Sequence, residues 1–353
     1  MRKLVKLFLL LSLLLGLTAC GHTPPVRTVG IAMPTQYAQR WLNDGANMKQ
    51  QLENKGYQVL LEYAGDDIDL QVQQLQSMLD AGVDCLVIAS IDSTALLDVQ
   101  AQAQAAGIPV IAYDRLLMQS QDVSYYATFD NEGVGRIIGE YIVAAKELDN
   151  ADEAQTIEFF MGSPDDNNAV MLHRGLMKVL RPYLDSGVLV CRSGRTSFED
   201  TCILRWSQQT AQERCTELLS GLYAGERPDI LCSAYDSFSY GCRTALEEAG
   251  FQPGPDWPLI TGQDADVAAI RNILSGYQTM TVFKDTRILA SKCVTMVDAM
   301  LTGSNPQIND RLTYDNGVKV VPAYLCRPVA VDADNYRAAL IDSGYYTEEQ
   351  LKD

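Results

Sequence analysis

The chain has 353 residues, of which 45 are Asp or Glu, 28 are Lys or Arg and two are His, so its formal net charge is −17. A surface this acidic repels phosphate backbones, which disfavours nucleic-acid binding. Because His22 and His173 are the only histidines, a multi-histidine metal site is nearly excluded, and we expect neither a metal nor another cofactor.

The N-terminal segment has the features of a secretory signal. Three basic residues precede the 11-residue apolar run 7–17, which is too short to span a bilayer core of about 30 Å. The run leads into Leu-Thr-Ala-Cys, which is similar to a bacterial lipobox. We therefore predict a signal peptide over 1–19, a lipid on Cys20 and a tether over 20–26, anchoring the mature chain outside the cytoplasm. An ordinary small-residue cleavage site is the alternative.

From residue 27 onward, short β-branched runs alternate with longer helical patterns. Gly56, Gly82 and Gly107 end the helical patterns of the first half. The predicted strands begin every 24 to 30 residues, which leaves room for one crossover helix each. This spacing predicts a parallel, doubly wound α/β sheet. The predicted strands of the first half are 28–33, 58–63, 85–90 and 109–114.

The same alternation restarts after residue 150 without a linker rich in Pro, Gly or Ser. We therefore expect two similar α/β halves of Rossmann-like type. The predicted strands of the second half are 156–162, 187–192, 229–236, 258–264 and 279–284.

Eight cysteines lie beyond Cys20, and an even number permits disulfides in an exported protein. Cys85 lies in an apolar run, which favours a buried thiol. The sequence contains no CxxC pair, so zinc-knuckle and thioredoxin-like sites have no support. The pairing stays open among Cys85, Cys191, Cys202, Cys215, Cys232, Cys242, Cys293 and Cys326.

Polar side chains follow the predicted strands at their carboxyl ends, where open parallel sheets bind ligands. A sugar hydroxyl both donates and accepts, so carboxylates and cations together can grip adjacent hydroxyls, while the apolar faces of a pyranose stack on indoles. The nearly balanced charges predict an uncharged, polyhydroxylated ring as the ligand. The candidate residues are Arg40, Trp41, Asp114, Arg115, Asp166, Asn168, Trp206, Asp236, Asp264 and Lys284.

Several segments resemble the bacterial D-xylose-binding and multiple-sugar-binding (ChvE-type) proteins of the type I periplasmic-binding-protein superfamily. The similarity runs from about residue 28 to the C terminus and includes QRWLNDGANM, IAYDRL, MGSPDDNNA, LITGQDAD and TVFKDTR. It implies two α/β lobes, joined by a three-strand hinge, that close over one aldopyranose such as xylose, glucose, galactose or arabinose. It also implies a monomer without catalytic residues that delivers the sugar to an ABC permease. The implied lobes are 27–129 plus 283–306 and 130–282 plus 307–353.

The resemblance also assigns roles to single positions. Asp236 stands where xylose-specific members have Asn and multiple-sugar members have Asp. Trp206 is a less certain match, because the stretch from Cys191 to Cys215 departs from the family. The family's other sugar contacts fall on Arg40, Trp41, Asp114, Arg115, Asp166, Asn168, Asp264 and Lys284.

Other interpretations of the same residues stay open. A chemoreceptor or sensor-kinase partner would use the same site and a different outer surface. A glycoside hydrolase would also need two carboxylates, but neighbouring cations would hold the carboxylates of this site ionised and leave no general acid with a raised pKa. Taken singly, Asp114 could cap a turn, Asp166 could begin a helix, and the Asp66–Asp69 segment is interpreted as a solvated loop.

Overall fold

The computed structural model describes residues 26–255 and 257–352. The predicted signal peptide, Cys20 and all but the last residue of the predicted tether lie outside the described residues. Among the residues that the structure describes, no helix combines the length and apolarity needed to cross a bilayer. The strands are β1 Thr28–Met33, β2 Gln58–Tyr63, β3 Cys85–Ile88, β4 Val110–Tyr113, β5 Tyr125–Phe129, β6 Gln155–Phe160, β7 Leu189–Val190, β8 Ile230–Ser233, β9 Leu259–Ile260, β10 Met280–Phe283, β11 Ala323–Cys326 and β12 Val329–Asp332.

The helices connect successive parallel strands, and many begin at an aspartate or serine whose side chain accepts from the first turn. Short 3₁₀ turns cover Leu148–Asn150, Leu204–Trp206 and Glu349–Leu351, and a π turn covers Arg337–Ile341. The α-helices are α1 Gln39–Asn54, α2 Ile68–Asp80, α3 Leu97–Ala105, α4 Asn131–Ala145, α5 Asn167–Ser186, α6 Phe198–Thr201, α7 Gln208–Ser220, α8 Asp236–Glu248, α9 Val267–Leu274 and α10 Thr286–Leu301.

The strands form two main sheets, as the alternating pattern predicts. The first is parallel, in the order β11-β5-β4-β3-β1-β2, and the second is parallel, in the order β7-β6-β8-β9. Strands β10 and β12 form an antiparallel pair. A β-bridge between Val282 of β10 and Gln263, just after β9, connects this pair to the second sheet. The predicted α/β class with two parallel-sheet lobes is confirmed.

The interior strands β1, β3, β4 and β8 are buried on both faces, which explains why they are continuous apolar runs. In β1, Val29 and Ile31 face a core shared with α1 and α10, whereas Ala32 faces a core shared with α2 and α3. In β6, Phe159 packs against α4 and α5, and Phe160 packs against α7 and α8. Each such fully buried large side chain stabilises the fold by about 1.5–3 kcal/mol.

The chain crosses between the two lobes three times, after β5, after β10 and after β11. One expected boundary differs from the structure. The sequence assigns 307–353 to the second lobe, but β11 pairs with β5 in the first sheet, and Tyr314 and Val321 pack in the first lobe's core. Strand β11 is parallel to β5 and forms the edge strand of the first sheet. The first lobe is therefore 27–129 plus 284–326, and the C-terminal part of the second lobe begins with β12.

Candidate ligand-binding site

A cavity of about 220 Å³ lies between the lobes, at the carboxyl ends of the parallel strands. Its walls come from the loops after β1, β4, β6, β8, β9 and β10 and from the segment before α7. The structure brings nine of the ten predicted side chains to this cavity, and Asp236 is the exception. The nine are Arg40, Trp41, Asp114, Arg115, Asp166, Asn168, Trp206, Asp264 and Lys284.

Arg40, in the first turn of α1, is surrounded by carboxylates. Its Nη2 lies 2.7 Å from Oδ2 of Asp114 and 3.3 Å from Oδ2 of Asp44, and its Nη1 lies 3.6 Å from Oδ2 of Asp264 on the other lobe. Burial opposes the charged form of Arg40, but the carboxylates of Asp114, Asp264 and Asp44 outweigh it and raise the pKa of Arg40 well above its usual value. Arg40 is therefore a fixed cation at the interface of the lobes.

Asp114 holds a left-handed backbone conformation, with φ of 60°, directly after β4. A non-glycine residue in this region costs on the order of 1–3 kcal/mol, which the surrounding structure must offset. Its N–H donates to Ala127 O at 2.7 Å, and its carbonyl accepts from Tyr126 Oη at 2.5 Å and Thr128 Oγ1 at 2.8 Å. These bonds aim the carboxylate at the cavity, so Asp114 does more than cap a turn.

Arg115 and Asp166 form an ion pair between the lobes, with Nε 3.2 Å from Oδ2. Arg115 Nη1 also donates to the carbonyl of Ser90 at 3.0 Å. Asp166 begins α5 by accepting from the N–H of Asn168 at 2.9 Å, so it is both a helix cap and a cavity side chain. Burial raises the pKa of Asp166 despite the opposing charge of Arg115. The expectation that cations prevent any raised carboxyl pKa is therefore wrong for Asp166.

The Asn168 amide links the lobes through hydrogen bonds on both of its ends. Its Nδ2 donates to the carbonyl of Asp114 at 3.0 Å. Its Oδ1 accepts from Asn131 Nδ2 at 2.9 Å. The same Oδ1 lies 3.0 Å from Tyr126 Oη, whose one hydrogen is shared with the shorter bond to the carbonyl of Asp114. Of these partners, Tyr126 also bonds Asp114 and Asn131 begins α4, so one hydrogen-bond network joins Asp114 to the starts of α4 and α5.

Asp264 and Lys284 form a second buried pair, with Nζ 2.7 Å from Oδ1. Asp264 has a φ of 97°, again in the region that favours glycine. Burial acts to raise the pKa of Asp264, but Lys284 and Arg40 outweigh it, and the pKa is lowered. Asp264 therefore stays ionised and can accept from a ligand hydroxyl.

Two indoles supply flat apolar surface. Trp41 is buried, with the guanidinium carbons of Arg40 and Arg115 at 4.3 Å and 5.3 Å from its ring centroid. Trp206 packs in parallel against Phe238, with centroids 5.9 Å apart. The absence of a side chain at Gly162 makes room for Trp206, because a Cβ there would lie 2.0 Å from its Cη2. The structure thus places Trp206 on the cavity wall.

Asp236 does not lie on the cavity, contrary to the sequence expectation. Its carboxylate is fully buried at the start of α8 and accepts from Gln278 Nε2 at 2.9 Å, Thr281 Oγ1 at 2.8 Å and the N–H of Asp266 at 3.2 Å. Burial, and then the nearby charge of Asp266, raise its pKa well above the usual value. The preceding residue, Tyr235, lines the cavity instead.

The predicted site residues leave out several side chains that line the cavity. Tyr235 and Gln263 follow β8 and β9, so the strand-end rule indicates them directly. Arg205 follows no strand, and its Nη1 lies 3.3 Å from Oδ2 of Asp165 and 3.4 Å from the carbonyl of Ile91 on the other lobe. Asp66 is exposed, as expected for a solvated loop, yet it also lines the cavity mouth.

The charges on the cavity wall balance. Four cations and four carboxylates line it, so a bound ion would gain no net attraction from the wall. Within the described ranges, no cluster of three or more His, Cys, Asp or Glu side chains is arranged to hold a metal ion. The site is equipped to donate to and accept from an uncharged polar molecule.

Comparisons with known proteins agree with this geometry. A family model described as a periplasmic binding protein domain matches residues 29–305. The chain is 51% identical to the multiple sugar-binding periplasmic protein SbpA of Azospirillum brasilense, over 92% of this chain and 91% of that protein. It is 47% identical to the multiple sugar-binding periplasmic receptor ChvE of Rhizobium radiobacter, over 92% of each. A solved ABC transporter solute-binding protein from Clostridium phytofermentans with bound β-D-glucose is 49% identical, with a TM-score of 0.89 over 92% of this chain and 100% of that chain.

Proposed function

The chain belongs to the periplasmic binding protein domain family, and on that premise we propose that it is an extracytoplasmic receptor that encloses one aldopyranose and delivers it to an ABC importer. The observation that carries the proposal is the charge-balanced cavity between the lobes, lined by two indoles. A sugar receptor needs each of these features.

The size and chemistry of the cavity favour a single sugar ring. Drug-sized ligands occupy pockets of roughly 300–1,000 Å³, and this cavity is smaller, at about 220 Å³. Hydroxyl groups can donate to the carboxylates of Asp114 and Asp264 and accept from Arg40 and Lys284. The ligand bound in the solved Clostridium relative, β-D-glucose, is an aldopyranose of this kind.

The nine cavity residues of the sequence prediction are proposed as sugar contacts, with Arg205, Tyr235 and Gln263 added. Asp236 is proposed to support Tyr235 and Asp266 from behind the wall rather than to touch the sugar, because its oxygens are occupied by protein donors.

We infer a binding protein rather than a glycoside hydrolase. The one cavity carboxyl group with a raised pKa, among the cavity residues described, is Asp166. Its Oδ2 faces Arg115 and its Oδ1 accepts from the N–H of Asn168, so neither oxygen is free to carry a proton to a glycosidic oxygen. The two multiple-sugar-binding relatives, SbpA and ChvE, are a periplasmic protein and a periplasmic receptor, which supports the same inference.

The partners and the anchor are proposed on the same basis. The sugar-loaded, closed form would dock on an ABC permease, with a chemoreceptor or sensor kinase as the second candidate partner. A lipid on Cys20 would hold the monomeric chain at the outer face of the membrane.

Calorimetry tests the proposal. Xylose, glucose, galactose and arabinose are titrated separately into the mature protein, and at least one is expected to bind at one site per chain. Incubation with aryl glycosides is expected to release no aryl alcohol. Absence of heat with every pyranose would remove the receptor function, and aryl glycoside turnover would favour the hydrolase.

A further inference from the structure

Helices α7 and α8 of the second lobe pack with their backbones in contact. A Cβ at Gly241 of α8 would lie 2.7 Å from the carbonyl oxygen of Gln208 and 2.9 Å from the nitrogen of Gln212, both on α7. No side chain therefore separates the two helices at this crossing.

Two cysteines face each other beside this crossing. Cys215 lies one turn after Gln212 on α7, and Cys242 follows Gly241 on α8. The Sγ of Cys215 is 3.9 Å from the carbonyl oxygen of Cys242, and both residues are fully buried in one apolar core. Burial and the neighbouring thiol of Cys215 raise the pKa of the Cys242 thiol well above its usual value. The two sulfur atoms are thus neighbours across a helix pair.

We propose that Cys215 and Cys242 are a disulfide-forming pair that joins α7 to α8 when the chain folds outside the cytoplasm. The physiological setting rests on the proposed extracytoplasmic location, because such compartments are oxidising. The structure describes the reduced form, in which each of the eight cysteines of the described ranges is a free thiol.

The chemistry is a thiol–disulfide exchange with an external disulfide. One thiolate attacks the reagent and releases one thiol, and the second thiolate then displaces the remaining half, so the cysteines lose two electrons and two protons. Only the thiolate reacts, and burial disfavours the thiolate of Cys242. Both residues also lie in a core that excludes an external disulfide once the helices have packed. The exchange is therefore expected before α7 and α8 pack, and slow once they have packed.

The bond would stabilise the aromatic wall of the cavity. Trp206 lies just before α7, and Tyr235 and Phe238 lie at the start of α8, with the three rings in mutual contact. A covalent link between the two helices would fix the relative position of their N-termini and so hold Trp206 against the wall. The disulfide would act on the shape of the site without touching the ligand.

Mass mapping tests the pair directly. The mature wild-type chain is refolded with oxidised glutathione or with a reductant, alkylated, and digested after glutamate without reduction. The expected product of the oxidised sample is peptide 214–217 joined to peptide 227–247, with two hydrogens lost. Because the second peptide also contains the buried Cys232, the Cys232→Ala variant is the matched control, and it is expected to retain the linked product.

Thermal unfolding gives a second measurement. The oxidised wild type is expected to lose about 5–10 °C in Tm when reductant is added, whereas Cys215→Ala is expected to show no such change. Alkylation of both Cys215 and Cys242 in the oxidised refolded sample, or a linked peptide that disappears in Cys232→Ala, would overturn the proposal. Sugar binding is measured separately on the reduced protein, so failure of the disulfide leaves the receptor function standing.

Discussion

The Nε of Arg115, on the first lobe, lies 3.2 Å from Oδ2 of Asp166, on the second lobe, and both side chains are largely buried. This pair crosses the cavity, so it exists only when the lobes are closed. Removing one member of a buried ion pair strands the other charge, at a cost of about 3–5 kcal/mol. Arg115 therefore lines the cavity and joins the two lobes, and we propose that it also contacts the sugar.

Replacement of this arginine should remove binding and preserve the fold. Arg115→Ala is expected to weaken sugar affinity by at least about 100-fold, since it removes a donor and leaves Asp166 unpaired. Calorimetry measures the affinity, and circular dichroism checks the fold. The control is Arg136→Ala on α4, where an exposed pair with Glu140 contributes little and affinity should be unchanged. Retained affinity in Arg115→Ala would show that the site is wrongly assigned.

The space at Gly162 should control the position of Trp206. Gly162→Ala places a methyl group 2.0 Å from the indole Cη2 atom, and the ring must move away from the cavity wall. We expect affinity to fall by about 10-fold, the size of a lost stacking contact. In a Trp206→Ala background the same change should cost nothing further. If the affinity losses of the two single variants add in the double variant, the effect of Gly162→Ala does not depend on Trp206.

The buried carboxyl group of Asp44 should leave a signature in the pH dependence of stability. Burial, opposed by Arg40, raises its pKa from 3.8 to about 6. Between these values the native state holds a proton that the unfolded state has released, so this group lowers the free energy of unfolding as pH rises from about 4 to about 6. The contribution is constant above that range.

The Asp44→Asn variant removes this titration. The quantity to follow is the free energy of unfolding of Asp44→Asn minus that of wild type. This difference should rise by up to about 3 kcal/mol as pH increases from about 4 to about 7. Urea titrations at several pH values measure this difference. Other groups such as Asp264 titrate in both proteins, so their contributions to stability cancel. A difference that is independent of pH, or that falls, would contradict the assignment.

The lipid anchor is tested by fractionation. Wild type is expected with the membranes, and Cys20→Ser is expected in the soluble fraction, because the thiol that carries the lipid is absent. The Cys202→Ser variant, which alters a partly exposed cysteine of the second lobe, should stay with the membranes. Membrane retention of Cys20→Ser would favour an ordinary cleavage site.

Local sequence pattern predicted most of the fold. The runs 28–33 and 58–63 coincide with β1 and β2. The interior strand β1 is a continuous apolar run because it is buried on both faces, whereas the edge strand β2 is only partly buried and its run ends in Glu62 and Tyr63. Strand β11 was missed, since its four residues carry no comparable run and its partner β5 lies nearly 200 residues earlier. Pairing over that separation leaves no periodic signal in the sequence. The lobe boundary after residue 306 was taken from the family resemblance, and it is misplaced because β11 pairs with β5 in the first sheet.

The site was predictable where side chains directly follow strands. Asp114, Asp264 and Lys284 lie on the cavity because the chain turns into it at the end of β4, β9 and β10. Asp236 fails because the first residue of a helix can point behind the wall as easily as into it, and local pattern does not fix that rotation. Arg205 was missed because it reaches the cavity from an irregular segment, through a left-handed backbone conformation.

The balanced wall of four cations and four carboxylates makes ligand charge the most direct test of the account. D-Glucose and its C6 carboxylate analogue, D-glucuronate, are titrated calorimetrically into the mature protein under the same conditions. We predict one bound glucose per chain and an affinity for glucuronate at least about 100-fold weaker, since a buried unpaired charge is costly. No binding of glucose, or glucuronate binding as tightly as glucose, would contradict a cleft built for an uncharged sugar.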